Sequence, residues 1–280
     1  MKQVVLTIQE NKALTPTTFR MRLAGDTCAV SAPGQFINIR LDGFFLRRPI
    51  SVNDVEYPSA EGCDDGVVTI IYKVLGHGTE EMTRYEPGRK LDVLTGLGNG
   101  YDLADAGKHP LLIGGGVGIP PLYLAARRLR ENADCEDVRV ILGFNSVDEM
   151  YYADEFRKLG CSVTVATADG SVGVKGFVTD AFRELVCECG SPCLAEPGTE
   201  QESDSEFRRF THFYTCGPEP MLRAVYAEVY KKAGISGQMS FEERMGCGFG
   251  ACMGCSIRTA GGYKRICKDG PVLRTEEILW

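Results

Sequence analysis

"PLLIGGGVGIPPLYLAARRL", residues 110–129, reads as three pieces in a row. An apolar run, "PLLI", has the continuous hydrophobicity of a strand buried on both faces. Gly114, Gly115, Gly116 and Gly118 then turn the chain. An amphipathic helix follows from near Pro120, a residue whose fixed φ suits the first helical turn. Strand, glycine turn and helix in that order open a parallel α/β unit.

The same alternation continues downstream. "VRVILGF" leads to "VDEMYYADEFRKLG", "CSVTVATADG" to "VTDAFRELV", and "THFYTCG" to "PEPMLRAVYAEVYKKAG". This pattern predicts a doubly wound parallel sheet over residues 104–236. Upstream, "QVVLTIQE", "TFRMRLA", "QFINIRL", "VVTIIYKVL" and "KLDVLTG" alternate in strand fashion between turn clusters such as "SAPG" and "EPGR". Short strands so spaced predict an antiparallel β-barrel over residues 1–103, with one helix at "TEEMTRY". Residues 237–280 form a third module, too short to rest on a core of its own without a metal staple. The fold class is therefore α+β multidomain. The stretch "CECGSPCLAEPGTEQESDSE" interrupts the α/β pattern and reads as a surface loop over 190–208.

Composition sets limits on function. With 280 residues and a net charge of −7, the chain has no cationic surplus to neutralise nucleic-acid phosphates. No apolar run approaches the roughly 18 residues of a membrane span. The N-terminus lacks the features of a signal peptide, so a cytoplasmic location is expected. In a reducing compartment, twelve cysteines are not a disulfide framework. Eight of them are mostly scattered and suit small packing roles, whereas Cys247, Cys252, Cys255 and Cys267 have ligand-like spacing. "CEC" with Cys193 has no fourth partner nearby.

C-x4-C-x2-C-x11-C differs from zinc ribbons and fingers, which pair C-x2-C with a second close pair. It is the plant-type [2Fe–2S] arrangement, in which a loop wraps a flat cluster and aims its amides at the sulfides. Gly246, Gly248, Gly250 and Gly254 permit that approach. The absence of histidine from this module excludes a Rieske centre.

Two further cradles stand out. "LRRPISV" carries Arg48, Pro49, Ile50 and Ser51 at a strand start, and a guanidinium near a hydroxyl suits a pyrophosphate or ribityl chain. "GHGTEEM" sets Gly76, Gly78 and Thr79 before a helix, where amides favour a phosphate. His77 reads as a turn residue. The turn at 114–118 is not a true G-x-G-x-x-G, because Ile119 and Pro121 break it. It does stand at a strand's C-terminal end, where open α/β sheets bind ligands, as do Cys216, Gly217 and Pro218 of "YTCGPEPM". A packed core thiol is the plain alternative for Cys216.

"RRPIS", "GHGT", "GGGVGIPPL" and "CGPEPML" together resemble the ferredoxin–NADP reductase superfamily from end to end. With "ERMGCGFGACMGC…CKDGPV", and with "ADGSVGVKGFVTD", the chain resembles the electron-transfer subunits of type B, NAD-dependent dihydroorotate dehydrogenases. The resemblance implies FAD contacts at Arg48, Pro49, Ile50, Ser51, Ile71, Tyr72, Lys73, Gly78 and Thr79. It implies a [2Fe–2S] cluster on Cys247, Cys252, Cys255 and Cys267, and NADH at the glycine turn and at Cys216, Gly217 and Pro218. It also implies a partner, an FMN-containing catalytic barrel subunit that makes orotate for pyrimidine synthesis, in a heterotetramer of two of each. The family pattern R-x-Y-S has Ile50 at its aromatic position, which leaves Tyr72 as the substitute ring. Asp148 is a candidate for a ribose hydroxyl or, equally, an N-cap for "EMYYADEF". The alternative is the flavin and cluster subunit of an NADH-dependent ferredoxin–NADP or sulfide-linked reductase, whose first ligand is typically an Asp in D-x-T-G-x-C. An oxygenase reductase and a flavin-free metal-binding scaffold are the remaining readings.

Overall fold

The computed structural model describes residues 1–57, 66–188 and 210–280. The N-terminal part is a closed six-stranded barrel, in the order β1-β2-β5-β4-β3-β6. Its strands are β1 (Lys2–Ala13), β2 (Thr18–Gly25), β3 (Phe36–Ile39), β4 (Arg48–Glu56), β5 (Gly66–Lys73) and β6 (Lys90–Leu97). Period-2 alternation puts Leu91 and Val93 of β6 inside with Leu6, Ile8, Met21 and Leu23 of β1 and β2, while Leu97, on the same face, packs with the sheet's core. Helix α1 (His77–Met82) follows β5. It starts two residues before "TEEMTRY" and stops at Met82, because the Thr79 hydroxyl accepts the Leu75 and Gly76 amides and fixes the start at Gly76.

The second part is a seven-stranded sheet. Strand β7 (Pro110–Gly115) leads through the turn Gly116–Gly118 into α2 (Pro120–Glu131), as the sequence reads. Then come β8 (Arg139–Phe144), α3 (Ala153–Lys158), β9 (Ser162–Thr167), β10 (Val174–Lys175), α4 (Val178–Glu188), β11 (His212–Cys216) and α5 (Glu219–Val225). Residues Tyr226–Lys232 continue α5 as a π-helical segment. The helix expected over "VDEMYYADEFRKLG" is split. Val147–Glu149 form a 3-10 turn, and Tyr152, at φ 64°, blocks α-helix until Ala153. Asp148 is accordingly an exposed residue of that turn and not the N-cap of α3.

The strand order is β10-β9-β8-β7-β11-β12-β15, so the order in which strands are added reverses between β7 and β11, which run parallel. Two of these strands come from residues assigned by sequence to the third module. Strand β12 (Gly237–Ser240) pairs parallel to β11. After the hairpin β13 (Ser256–Thr259) and β14 (Gly262–Arg265) and helix α6 (Ile266–Asp269), strand β15 (Val272–Arg274) returns antiparallel to β12. The cysteine segment is thus an excursion between two neighbouring strands of the nucleotide sheet.

Helix α2 joins the two larger parts. Leu122, Ala125, Ala126 and Leu129, spaced i, i+3, i+4 and i+7, pack on the sheet, while Leu124 enters the barrel core. Each buried leucine contributes about 2 kcal/mol relative to exposure. Arg127 adds an ion pair to Asp54 at 3.0 Å and donates to the Val55 carbonyl at 2.8 Å. Helices α4 and α5 cover the opposite face through Ala181, Phe182, Leu185, Leu222 and Val225. Among the described residues no helix is long and apolar enough to cross a membrane. Cys28 is disulfide-bonded, unlike the reduced thiol expected of it. The loop 190–208 and Cys193 lie outside the described residues.

Candidate functional site

Strand β4 begins at Arg48 and pairs with β3, so Pro49, Ile50 and Ser51 stand opposite Asn38, Ile37 and Phe36. Beside them Ile71, Tyr72 and Lys73 end β5. Arg48, Pro49, Ile50, Ser51, Ile71, Tyr72, Lys73 and Thr79 line a single cleft of about 260 Å³. Gly78 lies against the same arginine: a Cβ there would stand 2.2 Å from Arg48 Nε, so only glycine lets the guanidinium rest on the α1 backbone. The Arg48 guanidinium also lies 5.0 Å from the centre of the Phe44 ring. Lys73 makes an ion pair at 3.6 Å with Glu149 of the turn after β8.

Tyr72 is not the open ring the sequence offered in place of Ile50. It is fully buried, stacked on Phe19 at 5.7 Å, and its hydroxyl donates to Asn11 Oδ1 at 3.0 Å. Burial pushes its phenol up to about 12. Side-chain alternation along β5 explains this, since Ile70 and Tyr72 share the inward face.

The cleft's other wall was not legible. It comes from Ser240, Phe241, Glu242, Glu243 and Met245, just after β12, with Val117 from the glycine turn. Phe241, Glu242 and Glu243 also line a second cavity of about 360 Å³, which holds Gly217 and Pro218 together with Arg223 and Trp280. One segment therefore partitions two cavities. Glu242 is an exposed residue that lines both cavities, and desolvation raises its carboxyl above its usual range.

At the sheet's reversal point β7 and β11 run side by side, with Gly114 opposite Cys216. The glycines permit close packing there. A Cβ on Gly118 would stand 2.2 Å from the Cys216 carbonyl oxygen, and one on Gly115 or Gly217 would strike Met221 at 2.4 or 2.5 Å. Gly116 has φ +52° and open space beside it. Cys216 is 1% exposed, and burial drives its thiol far above the ordinary value, so it is a protonated core thiol.

The four cysteines come together as two pairs. Cys247 Sγ accepts the amides of Phe249, Ala251 and Cys252 at 3.5, 3.2 and 3.4 Å, and Cys252 lies beside it. Burial raises the Cys247 thiol, but these donors outweigh it and hold it down to about 6. Cys255 Sγ accepts the Cys267 amide at 3.4 Å, and burial together with the Cys255 thiol pushes Cys267 up. Among the described residues no three His, Cys, Asp or Glu side chains close around a single ion. Such an arrangement would fit a two-iron cluster, with one thiol pair to each iron. Gly248 (φ +79°) and Gly250 (φ +90°) supply the left-handed turns, and Gly248 packs on Asn38, whose amide donates to the Cys247 carbonyl at 3.4 Å. The cysteine loop is thereby fastened to barrel strand β3.

Residues 242–279 match the family described as the iron-sulfur cluster binding domain of dihydroorotate dehydrogenase B, and residues 112–227 match the oxidoreductase NAD-binding domain. The chain is 39% identical to the dihydroorotate dehydrogenase B (NAD(+)) electron transfer subunit of Fusobacterium nucleatum, covering 97% of this chain and 96% of that one. It is 37% identical to the Bacillus velezensis protein of the same name, covering 99% of both. Among solved structures, a chain of an NADH-dependent reduced ferredoxin-NADP oxidoreductase superposes with TM-score 0.79 at 28% identity, over 99% of this chain and 90% of that one. A ferredoxin NADP+ reductase from Neisseria gonorrhoeae shares the fold, with TM-score 0.64 at 15% identity, over 87% of this chain and 94% of that one.

Proposed function

Because the chain belongs to the family of dihydroorotate dehydrogenase B (NAD(+)) electron transfer subunits, we propose that it passes electrons from NADH, by way of FAD and a [2Fe–2S] cluster, to the FMN of a separate catalytic subunit that converts dihydroorotate to orotate. The observation that carries this reading is one continuous segment. Phe241, Glu242, Glu243 and Met245 wall the cleft of Arg48 and Ser51, and Cys247 follows two residues later. The cleft of Arg48 and Ser51 would hold FAD, which would supply hydride acceptance from NADH and single-electron delivery, and the four cysteines would hold a cluster able to relay one electron at a time.

The chain's own groups do the positioning. Arg48, held against Gly78, offers guanidinium donors to a pyrophosphate, and Ser51 offers a hydroxyl to the sugar chain or ring edge. Phe36, Pro49 and Ile50 give the cleft apolar lining. Gly115, Gly118 and Gly217 let the turn pack close to the end of β11, and Gly116, with open space beside it, would let a nucleotide approach the backbone at the reversal point, beside Cys216 and Pro218. Cys247 and Cys252 would hold one iron, and Cys255 and Cys267 the other. We take the exposed Asp148 on the turn after β8 as the candidate partner of a ribose hydroxyl, a role that would favour NADH over NADPH. We assign the partner as an FMN-containing barrel, with two copies of each subunit.

The reductase alternative draws on the 28% identity to the ferredoxin-NADP enzyme, but Cys247 stands where that class typically carries Asp. Purification of the FAD-loaded chain from its native cell tests the choice. A co-purifying FMN barrel subunit with NADH-dependent orotate chemistry is expected, and a large glutamate-synthase-like partner overturns the assignment.

A further inference from the structure

The glycine turn is fixed at one end by packing and at the other by a single phenol. Gly118 is clamped against the backbone of Cys216, but Gly116 has no atom within 4 Å of a would-be Cβ. A glycine in open space has no side chain to settle its peptide plane. Here the Gly116 carbonyl accepts two hydrogen bonds, a long one from the Ile119 amide at 3.2 Å and a short one from the Tyr151 hydroxyl at 2.7 Å.

Tyr151 is well placed to hold still. It is 8% exposed, with its ring edge-on to Phe144 at 5.8 Å and to Tyr152 at 6.1 Å. Phe144 ends β8, so the phenol is anchored to the strand neighbouring β7. Tyr152 faces elsewhere: its hydroxyl accepts the Asn53 side-chain amide at 3.1 Å, on barrel strand β4. The two adjacent tyrosines thus serve different attachments, one to the turn and one to the barrel.

A trans peptide points its C=O and the next N–H in opposite directions. Drawing the Gly116 carbonyl towards the Tyr151 hydroxyl therefore aims the Val117 N–H the other way. Val117 itself lines the cleft of Arg48 and Ser51. If the plane turned over, a carbonyl oxygen would face any phosphate approaching the turn, and repulsion would replace attraction. We propose that Tyr151 is a positioning residue for the dinucleotide: its hydroxyl locks the Gly116 peptide so that the turn presents an N–H, not a carbonyl, to the nucleotide. This rests on the reading that the glycine turn receives NADH.

The test uses the full FAD-loaded chain. Tyr151→Phe keeps the ring and removes only the donor. The Kd for NAD+ by calorimetry rises about fivefold, the worth of one net hydrogen bond. The KM for NADH in dye reduction rises by the same factor with kcat unchanged, and FAD content and Tm stay as in the parent. Tyr152→Phe removes an equally buried hydroxyl that does not touch the turn, and it leaves the NAD+ Kd unchanged. Tyr151→Met, which also lacks the hydroxyl, weakens NAD+ at least as much and serves if the first variant fails to fold. An unchanged Kd in the Tyr151 variants, or an equal change in Tyr152→Phe, overturns the proposal. A parent protein that does not bind NAD+ at all overturns the nucleotide reading of the turn, and the proposal with it.

Discussion

Replacing Gly118 with alanine sets one methyl against backbone on both sides. The added Cβ would lie 2.2 Å from the Cys216 carbonyl oxygen, 2.3 Å from its carbonyl carbon and 2.4 Å from the Gly217 nitrogen. Ordinary contact begins at 3.4 Å, so the turn must withdraw from the end of β11 by about 1.2 Å. No rotamer relieves this, because every atom struck belongs to the main chain. Overpacking of this kind costs about 1–3 kcal/mol. That lowers Tm by roughly 2–5 °C for a chain of this size. A displacement of about 1 Å at a ligand-positioning turn costs on the order of 100-fold in rate. Steady-state NADH oxidation with a dye acceptor, run on FAD-loaded protein beside a thermal melt, reads both quantities. Gly116→Ala is the matched comparison: its methyl meets nothing, and only the left-handed backbone resists, by about 1 kcal/mol. Gly118→Ala must therefore be the more damaging of the two. If it keeps kcat/KM within about twofold of the parent and melts unchanged, the close packing of the glycine turn on β11 is wrong.

Arg48→Ala removes the guanidinium resting on Gly78 and weakens FAD by about 10- to 100-fold, the worth of a charge-assisted bond, which flavin fluorescence on dilution measures. Cys252→Ser takes one thiol from the Cys247 pair; it abolishes the rhombic electron paramagnetic signal of the reduced protein while bound FAD and NADH-driven bleaching of the flavin persist. His212 is 5% exposed, and burial lowers its imidazole below the usual 6.5. Being neutral in the folded state, it contributes stability that is whole above pH 6.5 and is lost as pH falls towards its depressed value, so Tm drops on acidification and drops less in His212→Gln.

What the sequence disclosed followed from periodicity and spacing. Alternation in "KLDVLTG" and the strand–turn–helix of "PLLIGGGVGIPPLYL" are local properties, and both elements form where their residues place them. C-x4-C-x2-C-x11-C is also local, although the division into two pairs became visible only in the fold. The misreadings have nonlocal causes. "GQMS" carries no alternation of its own and is a strand only because β11 offers an edge to pair with. The helix over "VDEMYYADEF" has a helical pattern, but Tyr152 takes a left-handed backbone whose hydroxyl answers Asn53, nearly a hundred positions away (|i−j| = 99). Glu242 and Phe241 look like the approach to the cysteines, and they wall two cavities only because β12 delivers them to the sheet's reversal point. Tyr151 carries no motif at all.

Strands β12 and β15 flank the cysteine excursion and also finish the nucleotide sheet. A chain ended before Gly237 would not be a reductase lacking an accessory. It would leave Phe213–Cys216 with a bare row of unpaired amides and carbonyls along one side, an open invitation to intermolecular strand addition. Iron-binding capacity and solubility are in this way tied to the same stretch of polypeptide, and neither can be trimmed or grafted without carrying the other along.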